Sequence, residues 1–364
     1  MNVEFFLYFC AFFLIKMKKD KFLILCFLVA LLGFTSCSKD FDSNAPYKDV
    51  TIVYGLLNPD DQDHYIKIYK GFLTSDNAYE AAKEYDSLYY FDQIDVVMEE
   101  YKDGHLTATY PLDMTTDIPR ELEGDFAAPE QLLYHFSAEL NPEATYKLVI
   151  TNKESGRVVT AETDVLGSFY LRAPSDNTLQ VGIHSTQNTD VKFATPKNAK
   201  SFEVFQTFYY IERDRITHEE VKKSIRRKLS SGVIRDGISD QSCSYVPANL
   251  LTVLSGRLEE NPNIDRYITT DSALCYEVWV VNEPIYNYVA NNSISGSVVL
   301  DRLSYTNVWC SDDDRVAGVL GTRRSVCGWH GITAASQNEL VTGELTRKLN
   351  FHYDWEYLEL HGND

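Results

Sequence analysis

Apolar and polar residues alternate through short segments of this chain, broken at close intervals by turn residues. Thr51 to Leu57 mixes apolar and polar positions and runs into Asn58-Pro59-Asp60-Asp61, a turn signal. His64 to Phe72 alternates around Tyr65, Ile68 and Tyr69. Ile94 to Tyr101 and His105 to Tyr110 flank Lys102-Asp103-Gly104, where Asp-Gly supplies a hairpin turn. Leu132 to Leu140 follows, and Tyr146 to Thr151 and Arg157 to Val165 flank a second hairpin at Asn152 to Gly156. Seven short strands in so short a span predict a β-sandwich over 51–167. Beyond it, Leu179 to Ile183, Val191 to Ala194, Phe202 to Glu212 and Cys275 to Val281 also read as strands. Thr217-His-Glu-Glu220 has the form of a capping box, with Val221, Ile225 and Leu229 at four-residue steps, so a helix is expected from about 217 to 232. A second short helix is expected within Pro247 to Leu258. The fold class is therefore mainly β: an N-terminal immunoglobulin-like sandwich, then a second β-rich domain over 168–364 with one or two short helices.

The apolar pattern of the N-terminus differs. Met17 to Cys37 carries Lys18, Lys19 and Lys21, then the apolar run Phe22 to Phe34, then Thr35-Ser36-Cys37. The run is shorter than the roughly 20 residues that span a membrane as a helix. Phe34-Thr35-Ser36-Cys37 resembles a lipobox, in which the cysteine receives diacylglycerol. The expectation is a lipoprotein signal peptide over 17–36 and lipidation at Cys37. Residues 1–16 hold a second apolar run, Phe5 to Ile15, and read as a mis-called start ahead of Met17. Residues 37–50 are polar and form a tether of roughly 40 Å when extended. Ser38-Lys39-Asp40 with Asp42 resembles the segment that directs Bacteroidota lipoproteins to the outer leaflet.

Within the first domain, Leu140-Asn-Pro142-Glu-Ala-Thr-Tyr146 resembles the tyrosine corner of fibronectin type III domains. There the tyrosine hydroxyl bonds back to the connection between the sheets. Between the second and third strands lies an insertion, Thr74 to Asp92, in which Ser75 and Asp76 can cap a helix near Asn77. Its Leu88, Tyr89, Tyr90 and Phe91 are candidate partner contacts; the alternative is that they cover the open end of the core.

Composition narrows the function classes. The chain carries a formal charge of −19, and losing residues 1–36, with four lysines and two acids, moves it to about −21. Such a surface repels phosphate backbones, so no nucleic-acid partner is expected. Tyr (24) and Phe (19) are abundant, in keeping with strands. Cys243, Cys275, Cys310 and Cys327 lie beyond the signal and permit two disulfides; Cys310 with Cys327, which closes a short loop, is the candidate pair, and free buried thiols are the alternative. No Cys or His spacing fits a metal motif, and neither Asp60-Asp61-Gln62-Asp63 nor Asp312-Asp313-Asp314 has the EF-hand pattern, so no metal or cofactor is expected. No nucleophile elbow, zinc helix or phosphate loop occurs, and no catalytic residue is assigned. Trp279, Trp309, Trp329 and Trp355 are candidates for a carbohydrate platform, with core or edge packing as the alternative.

Pro284-Ile-Tyr286-Asn-Tyr288, Ser297-Val-Val-Leu300, Tyr305-Thr-Asn307-Val-Trp309 and Arg315 to Gly321 resemble the closing segment of an uncharacterised family of Bacteroidota outer-membrane lipoproteins. In that family a tyrosine-rich strand precedes an aromatic-Ser/Thr-Asn-Val/Ile step and a glycine-rich strand. Asp312-Asp313-Asp314 stands where glycines are often found. The resemblance implies an envelope location, often beside TonB-dependent transporters, and no activity; the Ser38 to Asp42 segment adds the expectation of a surface-exposed outer-membrane lipoprotein, with an ordinary soluble tether as the alternative. The expected function is that of a non-catalytic binding or accessory lipoprotein. The alternative is a surface glycan-binding protein of a polysaccharide-uptake system.

Overall fold

The computed structural model describes residues 50–71, 88–118, 131–269, 272–292, 305–311 and 316–362. Cys37, the signal and the tether up to Asp49 lie outside them, as do residues 1–16 and Asp312 to Asp314. Residues 48–364 form one compact unit. It is mainly β, as the alternation predicts.

The first part opens with β1 (Val50–Leu57), β2 (Asp63–Gly71), β3 (Ile94–Lys102), β4 (His105–Pro111), β5 (Asp113–Thr115), β6 (Leu133–Ser137), β7 (Thr145–Asn152) and β8 (Val158–Asp164). The pairs β1-β2-β6-β5 form one sheet and β8-β7-β3-β4 the other, an arrangement like the ABED-on-CFG order of immunoglobulin-like sandwiches. Asp103 and Gly104 take positive φ (52° and 77°) at the β3–β4 turn, as a two-residue hairpin loop requires. Alternate residues point inward, so that Val53, Ile66, Ile68, Met98, Leu148 and Ile150 fill the space between the sheets. The tyrosine corner is present: the Tyr146 hydroxyl accepts from the Asn141 amide at 2.9 Å and donates to Glu100 Oε2 at 3.0 Å.

The second part comprises β9 (Leu171–Ala173), β10 (Gln180–Val181), β11 (Thr189–Ala194), β12 (Ser201–Asp214), β13 (Glu220–Val233), β14 (Asp240–Tyr245), α1 (Asn249–Arg257), β15 (Ile264–Ile268), β16 (Leu274–Val281), α2 (Glu283–Asn292), β17 (Val308–Cys310), β18 (Val316–Ile332), α3 (Ala334–Thr342), β19 (Phe351–His352) and α4 (Asp354–His361). Its core lies between the β12–β16–β18 sheet and a three-stranded β14-β11-β9 sheet, with Phe193, Phe208, Leu250, Leu254, Tyr276 and Val278 buried. The expected helix at 247–258 is α1. The expected helix at 217–232 is instead β13, which pairs along its whole length with β12. The expected cap residues make the hairpin turn: Asp214 Oδ1 accepts from the amides of Ile216 (2.7 Å) and Thr217 (2.8 Å), and His218 takes φ 60°. The tyrosine-rich segment at 284–288, expected as a strand, is α2. Asn282 precedes it, Glu283 lies in its first turn and Pro284 follows, all favourable at a helix start.

One strand joins the two parts. The first half of β18 (Val316 to Thr322) pairs in parallel with β1, while its second half (Arg323 to His330) pairs antiparallel with β16. β17 adds to β8 on the opposite sheet. Val308, Cys310 and Leu320 thereby enter the first core, which otherwise draws on residues before 166. Gly318 sits at φ 101°, and a Cβ there would lie 1.8 Å from the Val53 carbonyl oxygen, so only glycine permits this crossing. Asn307 clips the junction: Nδ2 donates to the carbonyls of Leu320 (2.7 Å) and Glu162 (2.9 Å), and Oδ1 accepts from the Leu320 amide.

Candidate binding face

The β13-β12-β16-β18 sheet packs one side on the second core and turns the other outward. Strand register decides what that outer side presents. Lys228, Phe205, Glu277 and Cys327 fall in one cross-strand row, and Arg226, Thr207, Cys275 and Trp329 in the next. Trp279 and Tyr209 share the face, one step to either side. Trp329 is 49% exposed, far more than a ring of its size keeps in a core.

The aromatics are held by cations and by each other. The Arg226 guanidinium lies 3.7 Å from the Phe205 ring centre and 4.6 Å from that of Trp279, while its Nη2 donates to Glu277 Oε2 at 2.6 Å. Arg323 covers Trp279 from the other side at 4.6 Å. Phe205 and Trp279 meet at 5.2 Å between centres. Tyr209 and Trp329 form a second pair at 5.1 Å, tilted by 38°. Lys228 pairs with Glu203 on the same face. Each exposed cation–π contact contributes about 0.5–1 kcal/mol, so the stacked set fixes ring positions before any ligand arrives. Trp279 also borders an apolar cleft of about 380 Å³ between the strand ends and α2, lined by Phe202, Val281, Ile285 and Val289.

A polar cleft of about 570 Å³ lies at the seam of the two parts, lined by Glu162, Asp164, Lys200, Asp236, Asn282 and Glu283. Asn282, Lys200, Glu283 and Asp164 are occupied structurally. The buried Asn282 donates to Thr163 Oγ1 (2.7 Å) and accepts from the Thr322 amide (3.1 Å). Lys200 pairs with Glu283 at 3.4 Å, and Thr145 donates to Asp164 at 2.9 Å. Among the described residues no three His, Cys, Asp or Glu side chains converge as metal ligands. The acidic turn at 60–63 is likewise engaged: Arg324 Nε donates to Asp60 at 3.0 Å, and Asp63 pairs with His135 at 2.9 Å.

Tyr89 and Tyr90 do not face solvent. Both are buried at 2% exposure, and the Tyr90 hydroxyl shares a hydrogen bond with Thr51 Oγ1 at 2.9 Å. Two rings closed into the protein cannot serve as contacts; they cover the core, and only Phe91 and the half-buried Leu88 reach the surface. The rest of the insertion, residues 72–87, lies outside the described residues. Cys310 and Cys327 are not bonded to each other. Cys310 sits buried on β17, where its Sγ accepts from Arg157 Nε at 3.0 Å, and Cys327 is exposed on β18 opposite Glu277. Among the tryptophans, Trp279 and Trp329 share the face, while Trp309 lies on β17 and Trp355 stacks on Tyr353 at α4. The basic run Lys222 to Lys228 stands out in the sequence, but with 217–232 read as a helix Arg226 had no cross-strand neighbours, so its stack on Phe205 and Trp279 was not foreseen. The signal was present in Phe205 and Tyr209, an even number of residues apart and so on one strand face, and in Trp279 at the matching face of Cys275 to Val281.

No protein-family model and no curated protein matches the chain. Among solved structures, one match is the C-terminal globular domain of an oligosaccharyltransferase from Pyrococcus abyssi, at 12% identity and a TM-score of 0.24. It takes in 61% of this chain and 44% of that one, so this chain spans under half of that structure's length. A likeness that slight carries no argument. Among the described residues no helix is long and apolar enough to cross a membrane.

Proposed function

We propose that this chain is a lipid-anchored, non-catalytic binding protein of the outer membrane that acts beside a TonB-dependent transporter through the open face of its second sheet. The anchor rests on the sequence at Cys37 and on the likeness to Bacteroidota lipoproteins. The observation that carries the binding role is the outer-face cluster of Phe205, Trp279, Tyr209 and Trp329 braced by Arg226 and Arg323. Protein interfaces concentrate aromatics and arginine at their centres, and Trp, Tyr and Arg dominate their hot spots. Solvated sheet faces otherwise carry small polar and charged residues.

The test is recovery of membrane partners with tagged protein. Trp329→Ala combined with Arg226→Ala is expected to cut co-purification of a transporter at least tenfold, with far-UV circular dichroism unchanged. Equal recovery from this variant removes the face from the proposal. In the same cells, Cys37→Ala is expected to release the protein from the membrane fraction and to abolish labelling by a palmitate analogue; retained labelling sinks the anchor. The tilted Tyr209–Trp329 pair favours a second reading, a surface glycan-binding protein, because an exposed ring beside a half-buried one suits the apolar face of a sugar. Binding of polysaccharide with no membrane partner recovered decides for that reading.

A further inference from the structure

Cys275 on β16 stands opposite Trp329, and Cys327 on β18 stands opposite Glu277. The two cysteines therefore project from neighbouring strands onto the same outer face, one diagonal step apart. Cys275 is buried beneath the aromatic layer and Cys327 is exposed, with the Cys327 thiol a hydrogen-bonding neighbour of Cys275. The other two cysteines are elsewhere: Cys243 lies in the three-stranded sheet opposite Val191, and Cys310 lies in the first core opposite Val159.

We propose that Cys275 and Cys327 are a redox pair that closes into a cross-strand disulfide at the centre of the binding face, with a disulfide-bearing oxidant as co-reactant. The Cys327 thiolate attacks one sulfur of the oxidant disulfide, forming a mixed disulfide and expelling one oxidant thiolate. Deprotonated Cys275 then attacks Cys327 Sγ; the mixed bond breaks and the second oxidant thiolate leaves. The two cysteines lose two protons and two electrons, and the oxidant ends as two thiols. Exposure makes Cys327 the point of entry. Burial, with the neighbouring Cys327 thiol, pushes the Cys275 thiol up to about 12, so closure is the slow step and quickens as pH rises.

Diagonal neighbours in a ladder lie about 7–8 Å apart at Cα, whereas disulfides usually span up to about 6.8 Å. Closure therefore draws β16 and β18 together locally. The residues opposite the pair are Trp329 and Glu277, the latter holding Arg226, so oxidation acts on the ring and the arginine that the face presents. That the pair meets an oxidant in the cell rests on the envelope location proposed above; the pairing itself rests on strand register and on the contact between the two thiols.

The reduced full chain, incubated with glutathione disulfide, quenched, denatured and alkylated, tests the pairing by peptide mass mapping. The expected product is a Cys275–Cys327 link with Cys243 and Cys310 alkylated, formed faster at alkaline pH and reversed by dithiothreitol. Cys275→Ser is expected to stop at a glutathione adduct on Cys327, and Cys327→Ser to leave Cys275 unmodified. A Cys310–Cys327 link overturns the proposal, as does wild-type protein that stops at the Cys327 adduct. Thiol trapping in intact cells separates the two readings. A link formed in the tube but found reduced in cells upholds the pair and counts against the envelope location.

Discussion

At the scale of single residues, the Tyr146 hydroxyl does two jobs in the first core. It accepts from the Asn141 amide on the connection between the sheets and donates to Glu100, whose other contacts are Thr107 and Tyr110. Tyr146→Phe removes both bonds and leaves Glu100 with fewer donors. The expected loss is about 0.5–1.5 kcal/mol, rising toward about 3 kcal/mol if the carboxylate stays unsatisfied. Urea denaturation midpoints measure it, and partner recovery is expected to be unchanged. Much of this was legible beforehand. Leu140, Pro142 and Tyr146 gave the corner because its physics is local, confined to residues a few positions apart. The Cys275–Cys327 approach and the Arg226 stack were not legible, since each depends on which strands lie side by side.

The same residue scale carries a pH dependence. Burial pushes the Asp265 carboxyl up, but hydrogen bonds from Arg215 and His352 outweigh it and hold the group below its ordinary value of 3.8. A carboxyl depressed on folding stabilises the fold above its unfolded pKa, and that stabilisation is lost as pH falls through the lower folded value. Arg215→Ala is therefore expected to lower stability at neutral pH, with the deficit shrinking as pH drops below 3.8. Denaturation midpoints in neutral and acidic buffer test this. A deficit of equal size in both means that the contact acts by packing and not by charge.

Among elements, β13 and α2 show where periodicity misleads. Val221, Ile225 and Leu229 are four apart, and four is an even step, so they share a face of a strand as readily as of a helix. A helix would also want apolar residues at the three-residue steps, where the chain has Ser224 and Lys228. Pairing with the neighbouring β12 settled the matter, burying Ile225 opposite Phe208. For α2 the error ran the other way. The tyrosine pattern suggested a strand, yet Asn282, Glu283 and Pro284 are helix-start residues. Packing of Ile285 against Gly321, where a Cβ would come within 2.4 Å, and a hydrogen bond of 2.9 Å between Tyr288 and Tyr54 hold the helix to the β1–β18 sheet.

For the whole molecule, the seam at 167 divides the sequence more cleanly than it divides the cores. β17 and the first half of β18 complete the first sandwich from far along the chain, covering the edges of β8 and β1. A fragment of residues 48–167 lacks Val308, Cys310 and Leu320 and bares both edges. It is expected to bind a hydrophobic dye and to lose the sharp unfolding transition of the full chain; a fragment that melts cooperatively at the same midpoint contradicts this. The late completion also sets a timetable. Chains are made from the N-terminus at about 5–20 residues per second, so the first sandwich waits on the order of ten seconds for the strand that closes it. Over that interval its open edges invite pairing with other chains. A protein built this way gains from being kept unfolded until its last strand has been synthesised, so that its two halves are sealed in one event.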